Sequence, residues 1–191
     1  MIKQVRSNYD APEIEKEIQA FWRENDVYRK AKEQRAEGKD FYFCDGPPYT
    51  TGKIHLGTAM NKAVKDIMIR YWRMNGLNVR DQPGFDMHGL PIEVQVEKKI
   101  GVHSKKQIEE EVGIDKFVET CLRFASDLRV DMTEEFKQLG VWMDWDNPYE
   151  TVHPNFIEAA WWTIFRAAER GLLIDAARVV TWCPRCETAL A

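Results

Sequence analysis

The stretch Pro47-Pro48-Tyr49-Thr50-Thr51-Gly52-Lys53-Ile54-His55-Leu56-Gly57-Thr58 sets two rigid prolines, a permissive glycine and a histidine immediately ahead of a helical pattern. Helix N-termini favour anions, because their amide groups point outward and the dipole is positive there. A phosphate is the natural guest. Gly57, lacking a Cβ, leaves room for a flat ring or a ribose to lie on the helix backbone. Taken alone, His-Leu-Gly-Thr is also what any helix beginning after a turn looks like. A second loop, Pro83-Gly84-Phe85-Asp86-Met87-His88-Gly89, gathers a carboxylate and an imidazole between two glycines. A third feature is Cys183-Pro184-Arg185-Cys186, whose thiolates at this spacing can both reach one tetrahedral ion. A structural zinc takes four ligands, however, and no second C-x-x-C pair occurs in the chain.

Elements must place these loops. Phe41-Tyr-Phe-Cys44 is a short apolar run that suits a buried parallel strand, and it feeds the first loop. The following helix carries Leu56, Ala59, Ala63, Ile67 and Tyr71 on one face and stops at Asn75-Gly76. Leu77 to Gln82 reads as the next strand, and a helix from about Pro91 to Ile100 follows the second loop. Strand, loop, helix repeated in this way makes a right-handed βαβ unit, and ligands bind such sheets at the carboxyl ends of the strands. Ahead of it, Asp10, Pro12, Ile14, Ile18, Phe21 and Trp22 predict an amphipathic leading helix that runs until Gly38.

Beyond Gly101 the pattern turns helical. Ser104 with Gln107 resembles a capping box, and Phe117, Cys121, Phe124, Leu128, Met132 and Phe136 form a stripe that ends at Gly140. A second helix, roughly 154 to 170, carries Phe156, Ala160, Trp161, Ile164 and Phe165; their helical spacing predicts core residues and not a base-stacking platform. Arg178 to Trp182 reads as a strand leading to Cys183. Cys44 and Cys121 stand alone in apolar surroundings and look like packing residues.

Composition bounds the function. With 44% hydrophobic residues in 191, a real core is available. Charged residues make up 30% with a net charge of -4, so nothing in the overall balance suggests a polyanion-binding surface. Any contact with nucleic acid must be local or made elsewhere. No apolar run approaches the roughly 18 residues of a membrane span, and the start has no signal-peptide h-region, which implies a cytoplasmic protein.

The residues also carry a resemblance. Asp45-Gly46-Pro47-Pro48-Tyr49, Gly52, His55-Leu56-Gly57-Thr58, Asn61-Lys62 and Lys65-Asp66 closely resemble the H-I-G-H signature region of isoleucyl-tRNA synthetases. Gly84-Phe85-Asp86-Met87-His88-Gly89-Leu90-Pro91-Ile92-Glu93 is similar to that family's second signature, G-W-D-x-H-G-L-P-I-E. The likeness extends to Asp144-Trp145 and to Trp182-Cys183-Pro184-Arg185-Cys186. Valyl and leucyl synthetases, with G-x-D-H-A-G and G-W-D-A-F-G in the second loop, are the nearest alternatives.

The resemblance implies an α/β fold: the N-terminal half of a class I synthetase Rossmann-like nucleotide-binding domain, with a helical extension and the start of a zinc knuckle. Residues 1–40 would be a helical lead-in, 41–182 the half domain, and 183–191 the knuckle's beginning. It implies isoleucine, ATP with Mg²⁺, and tRNA(Ile) as partners, and zinc in the full-length protein. His55 and Thr58 would be the catalytic residues. His55, Gly57 and Thr58 would bind ATP, Pro47 would line the amino-acid pocket, and Asp86 would take the substrate's α-ammonium group. Cys183 and Cys186 would be half of the metal site. The alternative for Asp86 is a turn carboxylate that caps the following helix, and His88 is expected to brace the loop.

Two positions depart from the pattern. Thr58 stands where the family has a second histidine, so it donates one hydrogen bond but never carries positive charge. Phe85 replaces a tryptophan and loses the indole donor. The family's K-M-S-K-S motif, editing insertion and anticodon-reading region are absent from these 191 residues. The ending at Leu190-Ala191 beside a half-built knuckle reads as truncation. Rival readings are a non-catalytic nucleotide-binding module, a broken remnant, and a small zinc-ribbon nucleic-acid binder.

Overall fold

Between residues 40 and 80 the expected strand, helix, strand unit is present. The computed structural model describes residues 8–190, so the first seven residues of the lead-in and Ala191 of the final stretch lie outside the described residues. Strand β1 (Asp40–Tyr42) pairs in parallel with β2 (Asn78–Arg80), Phe41 opposite Val79, and α3 (Leu56–Met74) connects them.

The single leading helix is two. α1 (Ala11–Glu24) starts at Asp10, whose carboxylate accepts from the Glu13 amide at 3.3 Å, an ordinary N-cap. It ends where Asp26 takes a left-handed φ of 53°, and α2 (Val27–Glu33) restarts in a new direction. The break brings Tyr28 and Lys32 onto the carboxylate of Asp81 just after β2, at 2.8 and 2.9 Å, where Arg73 of α3 also donates at 2.7 Å. Periodicity alone could not show this, because it reads spacing and not the tertiary pull on two side chains.

The second loop opens with β3 (Gly84–Phe85), which pairs in parallel with β4 (Tyr149–Glu150), a strand too short to be legible in the sequence. Helix α4 (Leu90–Ile100) follows. A short helix α5 (Lys105–Gln107) passes into one wider π-type turn at Ile108–Val112, and then α6 (Ile114–Gln138) crosses the back. Ser104 caps α5 by accepting from the Gln107 amide, while the Gln107 side chain takes the His103 amide. The α6 stripe is met: Phe117, Met132 and Phe136 are buried, with Cys121 and Phe124 packed beside them against Phe85, Ile92 and Val96. Each such fully buried side chain stabilises the fold by roughly 1.5–3 kcal/mol. A smaller cluster of Ile69, Val79, Val141 and Met143 lies under β1 and β2, and Trp145 packs against both clusters.

Three expectations fail for one reason. In α3 the expected core face is outward: Leu56, Ile67 and Tyr71 are exposed, whereas Lys62, Ile69 and Arg73 are buried. In α7 (Pro154–Glu169) no residue is buried, and Trp161, Ile164 and Phe165 face solvent. Strand β1 is only partly covered, with Tyr42 and Cys44 exposed, so Cys44 is not a packing residue. Among the described residues, none buries those surfaces. The last expected strand is also displaced: β5 (Thr181–Cys183) begins after Val180 and pairs antiparallel with β6 (Thr188–Leu190). No described helix is long and apolar enough to cross a membrane.

Candidate active site

The two loops are laced together as a continuation of the parallel sheet. The Asp86 amide donates to the Pro48 carbonyl at 2.8 Å, and the Thr50 amide donates back to the Asp86 carbonyl at 3.1 Å, a parallel bridge between Tyr49 and Asp86. Pro47-Pro48 and Asp86 therefore share one edge. The structure brings together these residues, which lie far apart in sequence.

Asp86 is half-buried, and one carboxylate oxygen accepts from the Thr151 hydroxyl at 3.3 Å. Thr151 is itself oriented, since the same oxygen accepts from the Met87 amide at 3.0 Å. Helix α4 begins at Gly89 with no side-chain cap, so Asp86 does not cap it and its carboxylate remains available for a ligand. The Tyr49 phenol is raised above its ordinary value, first by the charge of Asp86 and then by burial. His88 is exposed and lies on the rim of a separate apolar cavity of about 610 Å³ between α4 and α6.

His55 caps α3 itself. Its Nδ1 accepts from the Gly57 and Thr58 amides at 3.1 and 3.3 Å, which leaves the proton on Nε2 to donate to the Thr58 hydroxyl at 3.1 Å. These are the amides expected to point at a phosphate. A Cβ on Gly57 would lie 3.0 Å from the His55 ring, so the missing side chain makes room for the imidazole. The helix start thus offers the histidine ring and the Thr58 hydroxyl as its outward polar groups. The first loop is held from behind by Glu135 of α6, which accepts from the Ile54 amide at 2.7 Å.

Beneath both loops lies an ionic cluster that sequence reasoning did not single out. Asp45 is 1% exposed. It accepts from Lys62, from Lys65 at 2.7 Å and from the Gly84 amide at 2.9 Å. The Tyr149 hydroxyl donates to the Asp45 carbonyl. Burial lowers the Lys62 ammonium, with Asp45 opposing. Burial pushes the Tyr149 phenol up to about 12, assisted by the charge of Asp45. The available signal was two lysines three residues apart on the helix behind the first loop, which places both on one face.

Cys183 and Cys186 sit apart from these loops, on the β5–β6 hairpin, where the Cys186 amide donates to the Cys183 sulfur at 3.4 Å. Arg185 between them donates to Glu97 of α4 at 2.6 Å. No cluster of three or more metal-ligating side chains exists among the described residues, so two thiolates alone do not complete a zinc site.

A histidine-capped helix start follows one strand and is laced to a second loop that carries the half-buried Asp86 carboxylate. The chain belongs to the class I tRNA synthetases: the family model described as tRNA synthetases class I (I, L, M and V) matches residues 17–191. Among relatives, it is 56% identical over 183 residues to the isoleucine–tRNA ligase of Pyrococcus abyssi, covering 96% of this chain and 17% of that protein. To the isoleucine–tRNA ligase of Methanosarcina barkeri it is 53% identical over 191 residues, covering all of this chain and 18% of the relative. A solved structure of the LeuRS of Agrobacterium radiobacter K84, in a ternary complex with tRNA and LeuAMS, superposes with a TM-score of 0.68 at 25% identity over 96% of this chain and 21% of that one. The chain thus spans less than a fifth of the isoleucine–tRNA ligases it matches.

Proposed function

We propose that this chain is the isoleucine- and ATP-facing part of an isoleucine–tRNA ligase. The observation that carries the reading is the lacing of Pro48 to Asp86, which sets the Asp86 carboxylate, oriented by Thr151, on the loop edge that leads to the His55 helix start. The isoleucine α-ammonium group binds Asp86, because charge-assisted hydrogen bonds are roughly twice as strong as neutral ones, and Pro47 lines the side-chain pocket. His55 and Thr58 face the ATP phosphates, and Gly57 lies beneath the adenosine.

In the reaction, an isoleucine carboxylate oxygen attacks the α-phosphorus of ATP. A new oxygen–phosphorus bond forms as the bond to pyrophosphate breaks, which yields the adenylate. A ribose hydroxyl of tRNA(Ile) then takes the acyl group and AMP leaves. No protein nucleophile takes part. Catalysis rests on alignment and on stabilising charge at the phosphoryl oxygens, for which Mg²⁺ arrives with ATP. With the Gly57 and Thr58 amides engaged by the His55 Nδ1 and the Nε2–H engaged by the Thr58 oxygen, the Thr58 hydroxyl, oriented by the imidazole, is the donor this helix start brings to phosphate.

The same reading divides the chain into a helical lead-in (1–40), half of a Rossmann-like domain (41–182) and the beginning of a zinc knuckle (183–191). Cys183 and Cys186 supply two ligands there, and the others come from elsewhere in a longer polypeptide. It also makes the protein cytoplasmic.

Calorimetry with a non-hydrolysable isoleucyl-adenylate analogue tests the assignment. Asp86→Ala is expected to abolish analogue binding, and unchanged affinity would refute the ammonium role. For ATP, His55→Ala is expected to weaken binding more than Thr58→Ala, and the reverse order would overturn the ranking. Isoleucine-dependent exchange of labelled pyrophosphate into ATP reports the chemistry itself.

A further inference from the structure

The buried cluster around Asp45 joins both ligand-facing loops, and it does so with a charge arrangement that stability alone does not call for. Asp45 is the first residue of the loop that leads to Pro47 and His55. Its carboxylate reaches Gly84, the residue that opens the loop carrying Asp86. One oxygen takes Lys65 and the other takes Lys62 together with the Gly84 amide, while its own carbonyl takes the Tyr149 hydroxyl. The partners come from α3, β3 and β4, so a single residue ties three elements together, α3 and β3 through its side chain and β4 through its carbonyl.

Lys62 is 1% exposed and has the rings of Phe136 and Trp145 at 5.1 and 5.7 Å. Among the described residues its only carboxylate partner is Asp45. A buried ion pair contributes little net stability, because the desolvation of both charges offsets their attraction, and apolar residues of similar volume often do as well or better. What such a cluster supplies is one arrangement to the exclusion of others, since every donor and acceptor must be met. The surroundings have no slack. A Cβ on Gly84 would fall 2.1 Å from the Tyr149 ring, whose hydroxyl is tied to the Asp45 backbone.

We propose that Asp45 is a positioning residue that holds the Pro47 side and the Asp86 side of the amino-acid site at a fixed separation, with Lys62 as its counter-ion. The inference rests on the amino-acid site proposed above. It goes beyond that reading by assigning the geometry of the site to a residue that touches no substrate. Misplacement by about 1 Å is enough to cost a binding or catalytic constellation a large factor, so loss of the anchor acts on ligand affinity without removing a contact to ligand.

The test uses the 191-residue chain, Asp45→Asn, and the double variant Asp45→Asn with Lys62→Met, which leaves no buried lysine without its counter-ion should the single variant fold poorly. Amide hydrogen exchange is followed at Thr50 and Asp86, whose hydrogen bonds lace the loops, and at α6 as a reference. In at least one folded variant, exchange at Thr50 and Asp86 is expected to rise roughly tenfold or more while α6 is unchanged. Affinity for the isoleucyl-adenylate analogue is expected to fall roughly tenfold, with ATP affinity changed less than about threefold. Unchanged exchange at Thr50 and Asp86, or an equal rise across α6, overturns the proposal. Should Asp86→Ala leave analogue binding intact while the Asp45 variants show the local rise in exchange, the ammonium assignment fails and the positioning role stands.

Discussion

Asp86 has its neighbours arranged around it before any ligand arrives. Thr151 donates to one carboxylate oxygen, the Asp86 amide is spent on Pro48, and the Asp86 carbonyl is spent on Thr50. Only the carboxylate is left for chemistry. Thr151→Val keeps the shape but removes the hydroxyl, so the Met87 amide loses its acceptor in a buried place, a loss that costs about 1–3 kcal/mol. Urea unfolding should show that loss, and calorimetry should show weaker binding of the adenylate analogue. Thr151→Ser should restore both. A second residue-scale expectation concerns Gly84, where an added methyl meets a tyrosine ring that is pinned by its own hydrogen bond. Gly84→Ala should lower stability by about 1–3 kcal/mol through overpacking, read from the urea midpoint. The loops of Pro47 and Asp86 stood out in the sequence because of their unusual composition. Thr151, Tyr149 and Asp45 did not, because an ordinary threonine, tyrosine or aspartate gains its role only from what the fold brings to it.

Among the elements, helices with the same kind of pattern met different fates. The α6 stripe was read correctly and is buried under α4, whereas the equally regular stripe of α3 faces outward. Periodicity identifies an apolar face, but burial requires a second surface to meet it, and only the fold states where that surface is. The two solitary cysteines show the same split. Cys121 on α6 is half-buried, and burial together with the charges of Glu93 and Glu97 pushes its thiol up to about 11. Cys44, just past β1, is exposed. At pH 8 iodoacetamide should therefore alkylate Cys44 well before Cys121, as followed by mass spectrometry of the digested chain, because the thiolate is the reacting form and Cys121 is both less exposed and held protonated. Equal rates would contradict the placement of Cys121 in the core.

Across the whole molecule, the apolar surface of α3 and α7 stands uncovered, and the chain spans under a fifth of the relatives it matches. The 191 residues studied alone should bind an apolar dye such as ANS, and Trp161→Glu with Phe165→Glu should reduce that signal without lowering the melting temperature, since neither side chain is buried here. Alkaline behaviour also belongs to this scale. Tyr149 holds its proton more tightly folded than unfolded, its phenol raised from 10.0 to about 12. The stabilisation is therefore complete below pH 10 and is lost as the pH rises toward 12, when the phenolate forms beside Asp45. Urea midpoints measured from pH 9 to 12 should fall more steeply for the native chain than for Tyr149→Phe.

The sequence by itself determined the strand, helix, strand unit between residues 40 and 80, the two unusual loops and the family, because helix starts, turns and signature loops are written in contiguous residues. The tertiary structure alone decided that His55 fills the amides of its own helix, that Asp86 is free of capping duty, and that Asp45 joins the loops. It also decided which apolar faces lack a partner within this chain. The joining of the loops by Asp45 depends on contacts 17 to 104 positions apart, as in its bonds to Lys62 and Tyr149, and no local pattern encodes where such distant groups will meet.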